Sequence, residues 1–193
     1  LAAPQQPPAV VLVGFMGAGK SAVGRELAAR LGLPYLDTDE AITAAAGSIP
    51  EIFAARGEAG FRAIEAETVV REIDALREAP KVLALGGGAV LSGEVRAALA
   101  GSAPVVWLAA PAAELWRRVT ADPVGQRPLA QDEEGFTALL AARESLYREV
   151  ATLVVETGGR GADDVATQLA EQLRGEEKGR RRSPSRQRTE GAA

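Results

Sequence analysis

The sequence predicts an α/β fold: a three-layer α/β/α sandwich around a five-stranded parallel sheet. Five short runs, at 10–13, 35–37, 82–85, 105–108 and 153–156, are rich in Val or Leu, and all but the second are nearly continuous in apolar residues, as strands buried on both faces are. Between them lie segments of helical periodicity at 22–31, 52–76, 112–119, 136–150 and 163–173. This alternation gives a parallel sheet with right-handed crossovers and helices on both faces. Ligands of such sheets bind beyond the carboxyl ends of the strands, so the residues just after each run are those to inspect for chemistry.

The chain's 193 residues, 47% of them hydrophobic, suffice for one domain with a filled core and are too few for two of ordinary size. That domain is expected over 1–174. No apolar run approaches the roughly 20 residues that cross a bilayer, and the first eight residues are Pro- and Gln-rich without a basic leader. A cytoplasmic monomer without a membrane partner is expected. The absence of cysteine and histidine removes disulfides, thiol nucleophiles, thiolate metal sites and the commonest general base. Chemistry falls to Asp, Glu, Lys, Arg, hydroxyls, backbone amides or a borrowed cation. Of the net charge of −4, six basic residues and no acidic one lie between Lys178 and Arg188, which leaves −10 for the remainder. So acidic a body is a poor nucleic-acid surface.

Two segments break the alternation. Residues 122–132, Asp-Pro-Val-Gly-Gln-Arg-Pro-Leu-Ala-Gln-Asp, are punctuated by Pro and Gly between two helices, and read equally as a mobile lid or an ordinary surface connection. Residues 175–193 are poor in apolar and dense in Arg, Ser, Gln and Glu, which predicts a disordered, solvated tail, with polyanion binding as the alternative.

Directly after the first run comes Gly14-Phe-Met-Gly17-Ala18-Gly19-Lys20-Ser21, which matches G-x-x-x-x-G-K-[ST] and runs into a helical pattern. Strand, loop and helix are the context this motif requires. Its glycines let the loop wrap a β-phosphate, the helix offers its positive N-terminal end, Lys20 reaches the β/γ oxygens and the Ser21 hydroxyl suits Mg²⁺. Lys20 is also one of only three lysines. No N-K-x-D loop for guanine occurs, and the third run ends in Leu85-Gly86-Gly87-Gly88 instead of an aspartate. A carboxylate for the magnesium shell is offered by Asp37-Thr38-Asp39 after the second run, where residues i and i+2 share a side. Asp39 as N-cap of the following helix is an equal reading.

With the P-loop, D-T-D and G-G-G on the page, the remaining pieces follow in order: Gly57-Glu-Ala-Gly-Phe-Arg62-Ala-Ile-Glu65, Leu85-Gly86-Gly87-Gly88-Ala-Val90, Arg127-Pro-Leu and Arg143-Glu-Ser-Leu-Tyr147. Over about 8–173 the sequence resembles the shikimate kinase family, and a P-loop kinase fold is what the resemblance implies. It further implies ATP at the loop of residues 14–21, through Gly17, Ala18, Gly19, Lys20 and Ser21, and at Ala22 beyond it. Mg²⁺ would sit at Ser21 and Asp37, and shikimate at Asp39, Arg62, Arg143 and the Gly86, Gly87 and Gly88 backbone. Arg127 would approach the transferring phosphoryl group, and Arg118 and Arg160 would lie near the adenine. A ring with one carboxylate and three hydroxyls suits guanidinium forks at one end and a carboxylate acceptor at the other. Glu65 is an orienter for Arg62 or a surface pair, and Phe53 and Phe61 wall the ring or pack the core. Two positions depart from the family pattern: Ala22, where a hydroxyl residue is common, and Ala162, where a proline often stands beside the adenine. A gluconate-type kinase and a non-catalytic MgATP-binding module are the rival readings.

Overall fold

In the computed structural model, which describes residues 8–121 and 132–181, β1 (Val10–Val13) leads into α1 (Lys20–Leu31), and β2 (Tyr35–Asp37) into α2 (Thr38–Ala46) and α3 (Ile49–Asp74). After β3 (Val82–Ala84) come α4 (Gly93–Leu99), β4 (Val105–Ala109), α5 (Ala112–Ala121), α6 (Glu133–Val150), β5 (Leu153–Glu156) and α7 (Ala162–Arg181). The sheet is wholly parallel in the order β2-β3-β1-β4-β5. Every residue of β1 and β3 is buried, which is why those runs are continuous in apolar residues.

The chain leaves β1 in one direction to make β2 and then works back through β3, β4 and β5, so right-handed crossovers put α1 on one face and the helices between β2 and β5 on the other. After β5 the last helix packs against α1. Residues just past the five strands therefore gather along one rim of the sheet. Gly24 within α1 serves that rim. A Cβ there would lie 2.5 Å from Tyr35 Cε2, so the glycine lets the Tyr35 ring lie against the helix, although Gly inside a helix costs roughly 0.5–1 kcal/mol relative to Ala.

The predicted sandwich and its five strands are observed, β3 stopping one residue early and β4 running one further. The helices differ more. α3 begins at Ile49, behind a capping box of Ser48 and Glu51, and is broken at Gly57, whose φ of 67° is outside the helical range. α2 has Ile42 as its one buried apolar anchor, and α4 is seven residues long; neither is long and apolar enough to give a clear period. α7 continues to Arg181, so the first residues of the segment read as a disordered tail are helical and the remainder lies outside the described residues. Among the described residues no helix is long and apolar enough to cross a membrane.

Candidate active site

The loop between β1 and α1 is built from one stretch of chain. Gly17 and Gly19 adopt φ of 79° and 90°, which curls residues 14–21 around their own amides. Gly19 caps α1 without a side chain, so the first-turn amides face outward as donors to an anion. Lys20 Nζ donates to the Gly14 carbonyl at 2.8 Å and the Phe15 carbonyl at 3.1 Å, which holds the ammonium across the loop's mouth. Ala18 is buried, and Ala22 is exposed on α1. Gly17 is pressed against α5: a Cβ there would meet the Leu115 carbonyl oxygen at 2.8 Å.

Asp37 anchors the adjoining corner. Ser21 Oγ donates to its Oδ2 at 2.8 Å, the Tyr35 hydroxyl to the same oxygen at 3.2 Å, and the Asp39 amide to Oδ1 at 3.0 Å. Burial, and then the Asp37 charge, push the Tyr35 phenol well above its usual pKa, so it stays a donor. The N-cap of α2 is therefore Asp37 and not Asp39. The two carboxylates do not share a side as an extended strand would have it: Asp37 turns to Ser21, whereas Asp39, already on the helix, turns to Gly86. Ser21 and Asp37 offer only hard oxygens, the donor set that suits Mg²⁺. Among the described residues no group of three acidic side chains could hold a metal by itself.

Beside it, side chains from three helices, α2, α3 and α6, meet on a floor of three buried glycines after β3. A Cβ on Gly86 would lie 2.5 Å from Asp39 Oδ1 and 2.8 Å from Glu65 Oε1, and one on Gly88 would lie 2.8 Å from Arg62 Cζ. The Gly87 carbonyl accepts from Arg143 Nη1 at 3.3 Å and from the Tyr147 hydroxyl at 2.6 Å. Thus Asp39, Arg62 and Arg143 each touch a different glycine of the triplet. The floor is itself held by Thr38, whose buried Oγ1 accepts from the Gly86 amide at 2.9 Å.

Arg62 bonds Glu65 Oε2 through Nη1 at 2.6 Å and has Glu58 3.6 Å from Nη2; its Nε is a buried donor without a partner. Glu65, 3% exposed, has its pKa raised by burial, opposed first by Arg62. It is a buried partner of the cluster and not the surface pair. Phe61 belongs to the core with Ile42 and Ile52 and stacks on Phe53 at 4.8 Å, with the Arg62 guanidinium 5.2 Å over its ring.

Arg118 bridges the two ends of the nucleotide side: Nη1 donates to the Gly17 carbonyl at 3.2 Å and Nη2 to the Thr157 carbonyl at 2.7 Å and Glu114 Oε1 at 2.6 Å. Glu114 also accepts from the Gly159 amide at 3.0 Å, and that bond, ahead of Arg118, lowers its pKa. Arg160 turns along α7, donating to the Glu156 carbonyl at 3.1 Å and Gln168 Oε1 at 2.7 Å. Arg127 and all of the lid-like segment but Asp132, the N-cap of α6, lie outside the described residues. Sequence reasoning gave no role to Thr38, Tyr147 or Glu114. Thr38 and Tyr147 sit inside D-T-D and R-E-S-L-Y, so their motifs held the signal; Glu114 had none beyond its spacing of four from Arg118.

The family model described as shikimate kinase matches residues 16–174. The chain belongs to the shikimate kinase family. Shikimate kinase of Mycobacterium tuberculosis is 49% identical over 170 residues, covering 86% of this chain and 93% of that protein. The enzyme of Halorhodospira halophila is 47% identical over 174 residues, covering 88% and 96%. Among solved structures, shikimate kinase from Acinetobacter baumannii in complex with shikimate superposes with a TM-score of 0.81 at 36% identity, covering 89% of this chain and 95% of that one. Membership of the shikimate kinase family makes the chain an ATP-dependent kinase.

Proposed function

We propose that this chain transfers the γ-phosphoryl group of ATP to the 3-hydroxyl of shikimate, giving shikimate 3-phosphate and ADP. The observation that carries the acceptor assignment is the glycine triplet, each member touching one of Asp39, Arg62 and Arg143. Bare backbone lets a ring lie close, the two guanidiniums suit its carboxylate, and the buried, unpartnered Arg62 Nε is a donor that a carboxylate would satisfy.

In this reading the loop amides and Lys20 hold the β- and γ-phosphates, Gly17, Ala18, Gly19 and Ala22 line that cradle, and Arg118 and Arg160 flank the adenine. Asp39 takes the proton of the attacking hydroxyl as the new O–P bond forms and the bond to the leaving ADP oxygen breaks. Arg127 offsets charge on the transferring group. Mg²⁺ held through Ser21 and Asp37 would neutralise phosphate charge when bound. The setting is a cytoplasmic monomer, with neither nucleic acid nor membrane as partner.

Profiling acceptors with MgATP tests the assignment. Shikimate should be phosphorylated and gluconate should not. Arg62→Ala or Arg143→Ala should weaken shikimate binding by about 1.5–3 kcal/mol, roughly 10- to 150-fold, with ATP affinity nearly unchanged. An analogue carrying a neutral amide in place of the carboxylate should bind wild type worse than shikimate does and lose much less in the arginine variants. An equal arginine penalty for both ligands would remove the carboxylate contact.

A further inference from the structure

Tyr147 is wholly buried at the far end of the Arg143-Glu-Ser-Leu-Tyr147 stretch, and its hydroxyl makes the shortest bond to the glycine floor, 2.6 Å to the Gly87 carbonyl. The same carbonyl lies 3.3 Å from Arg143 Nη1. Two donors on one α6 face thus converge on one acceptor, and the phenol makes the shorter bond. The Tyr147 ring stacks on Trp107 of β4 at 5.9 Å, which fixes the hydroxyl from behind. Burial pushes its pKa up to about 12, with the Arg143 charge opposing, so it donates at any working pH. On its other side Gly87 touches the nucleotide loop: a Cβ there would lie 3.5 Å from the Gly14 carbonyl oxygen and the Met16 amide nitrogen.

We infer that Tyr147 is a positioning residue for the acceptor, acting through Arg143. By taking the shorter bond to the Gly87 carbonyl, the phenol keeps Arg143 at 3.3 Å from it, with the remaining guanidinium donors left for the substrate carboxylate. Without the hydroxyl that buried carbonyl retains the long bond from Arg143, which is then drawn closer to it. The guanidinium then moves toward the floor and away from the ligand. This inference rests on the acceptor reading proposed above.

Tyr147→Phe tests it, because the ring and its stacking on Trp107 are kept while one hydroxyl is lost. The KM for shikimate should rise about 3- to 10-fold, the scale of one net hydrogen bond, with the KM for ATP changed less than twofold. In an Arg143→Ala background the same substitution should change the shikimate KM less than twofold, since the group it positions is gone. Equal penalties in both backgrounds, or parallel rises of both KM values, would overturn the inference and leave Tyr147 a packing residue. Arg62→Ala, run alongside, separates the two readings. If it weakens shikimate while Tyr147→Phe does not, the positioning role alone falls; if neither weakens shikimate, the acceptor assignment falls and takes the positioning role with it.

Discussion

The two halves of the site are built by opposite means. The proposed nucleotide half is eight consecutive residues whose donors are largely backbone amides, so its geometry is written by glycines and by the helix that follows. The acceptor half draws Asp39 from α2, Arg62 from α3, three glycines from the end of β3 and Arg143 from α6, and the bond from Arg143 to Gly87 spans 56 residues of sequence. A backbone cradle carries its own positioning. Side chains on separate elements hold position only as well as the buried groups around them do, here Thr38, Glu65 and Tyr147. Remote substitutions should therefore damage the acceptor half selectively, whereas the nucleotide half should fail chiefly through its own residues.

The largest effect expected is on the nucleotide half. Lys20→Ala removes the ammonium that bonds the Gly14 and Phe15 carbonyls across the loop, and kcat should fall by at least about 10²- to 10³-fold with the melting temperature nearly unchanged, because the lysine's role is electrostatic and not structural. Near-normal turnover would show that the backbone cradle works alone. A smaller effect is expected at Thr38, which touches no substrate in the proposed arrangement. Thr38→Val keeps the shape but strands the buried Gly86 amide, at a cost of about 1–3 kcal/mol. The melting temperature should drop by about 2–10 °C, and the KM for shikimate should rise while that for ATP holds. The contact between Gly87 and the nucleotide loop is where this independence would break, and an equal rise in both KM values would show that it does.

The subtlest effect concerns Glu65. Burial raises its folded pKa above the ordinary 4.5, so the native state holds the proton more tightly than the unfolded chain. Its contribution to stability is greatest below 4.5 and is lost as pH rises through the folded pKa. Glu65→Gln should flatten that part of the stability curve, read as melting temperature against pH in both proteins. An unchanged pH slope would mean that Arg62 fully offsets the burial of the carboxylate.

Much of this fold was legible because its signals are local. Buried parallel strands leave continuous apolar runs, and a phosphate loop between strand and helix leaves a spaced motif; both survive without knowledge of neighbours. The break at Gly57 was not legible, since a glycine inside a helical period is compatible with an unbroken helix. Nor was the role of Glu65, because i to i+3 spacing is the same for a solvated surface pair and for a buried clamp.

Asp37 and Asp39 mark the division most clearly. The sequence by itself determined that two carboxylates stand at the end of β2, one residue apart, next to a phosphate loop. It left open whether Asp39 would cap the helix that follows. The tertiary structure decided it: pairing of Asp37 with Ala84 ends the strand at Asp37, so that residue becomes the cap and turns to Ser21, and Asp39 is carried onto the helix toward Gly86. The same holds for the arginines. Their presence is sequence, but the direction each guanidinium takes is fixed by its neighbours, Glu65 for Arg62 and the Gly87 carbonyl for Arg143, and the latter comes from an element that meets α6 only when the sheet and its helices have packed.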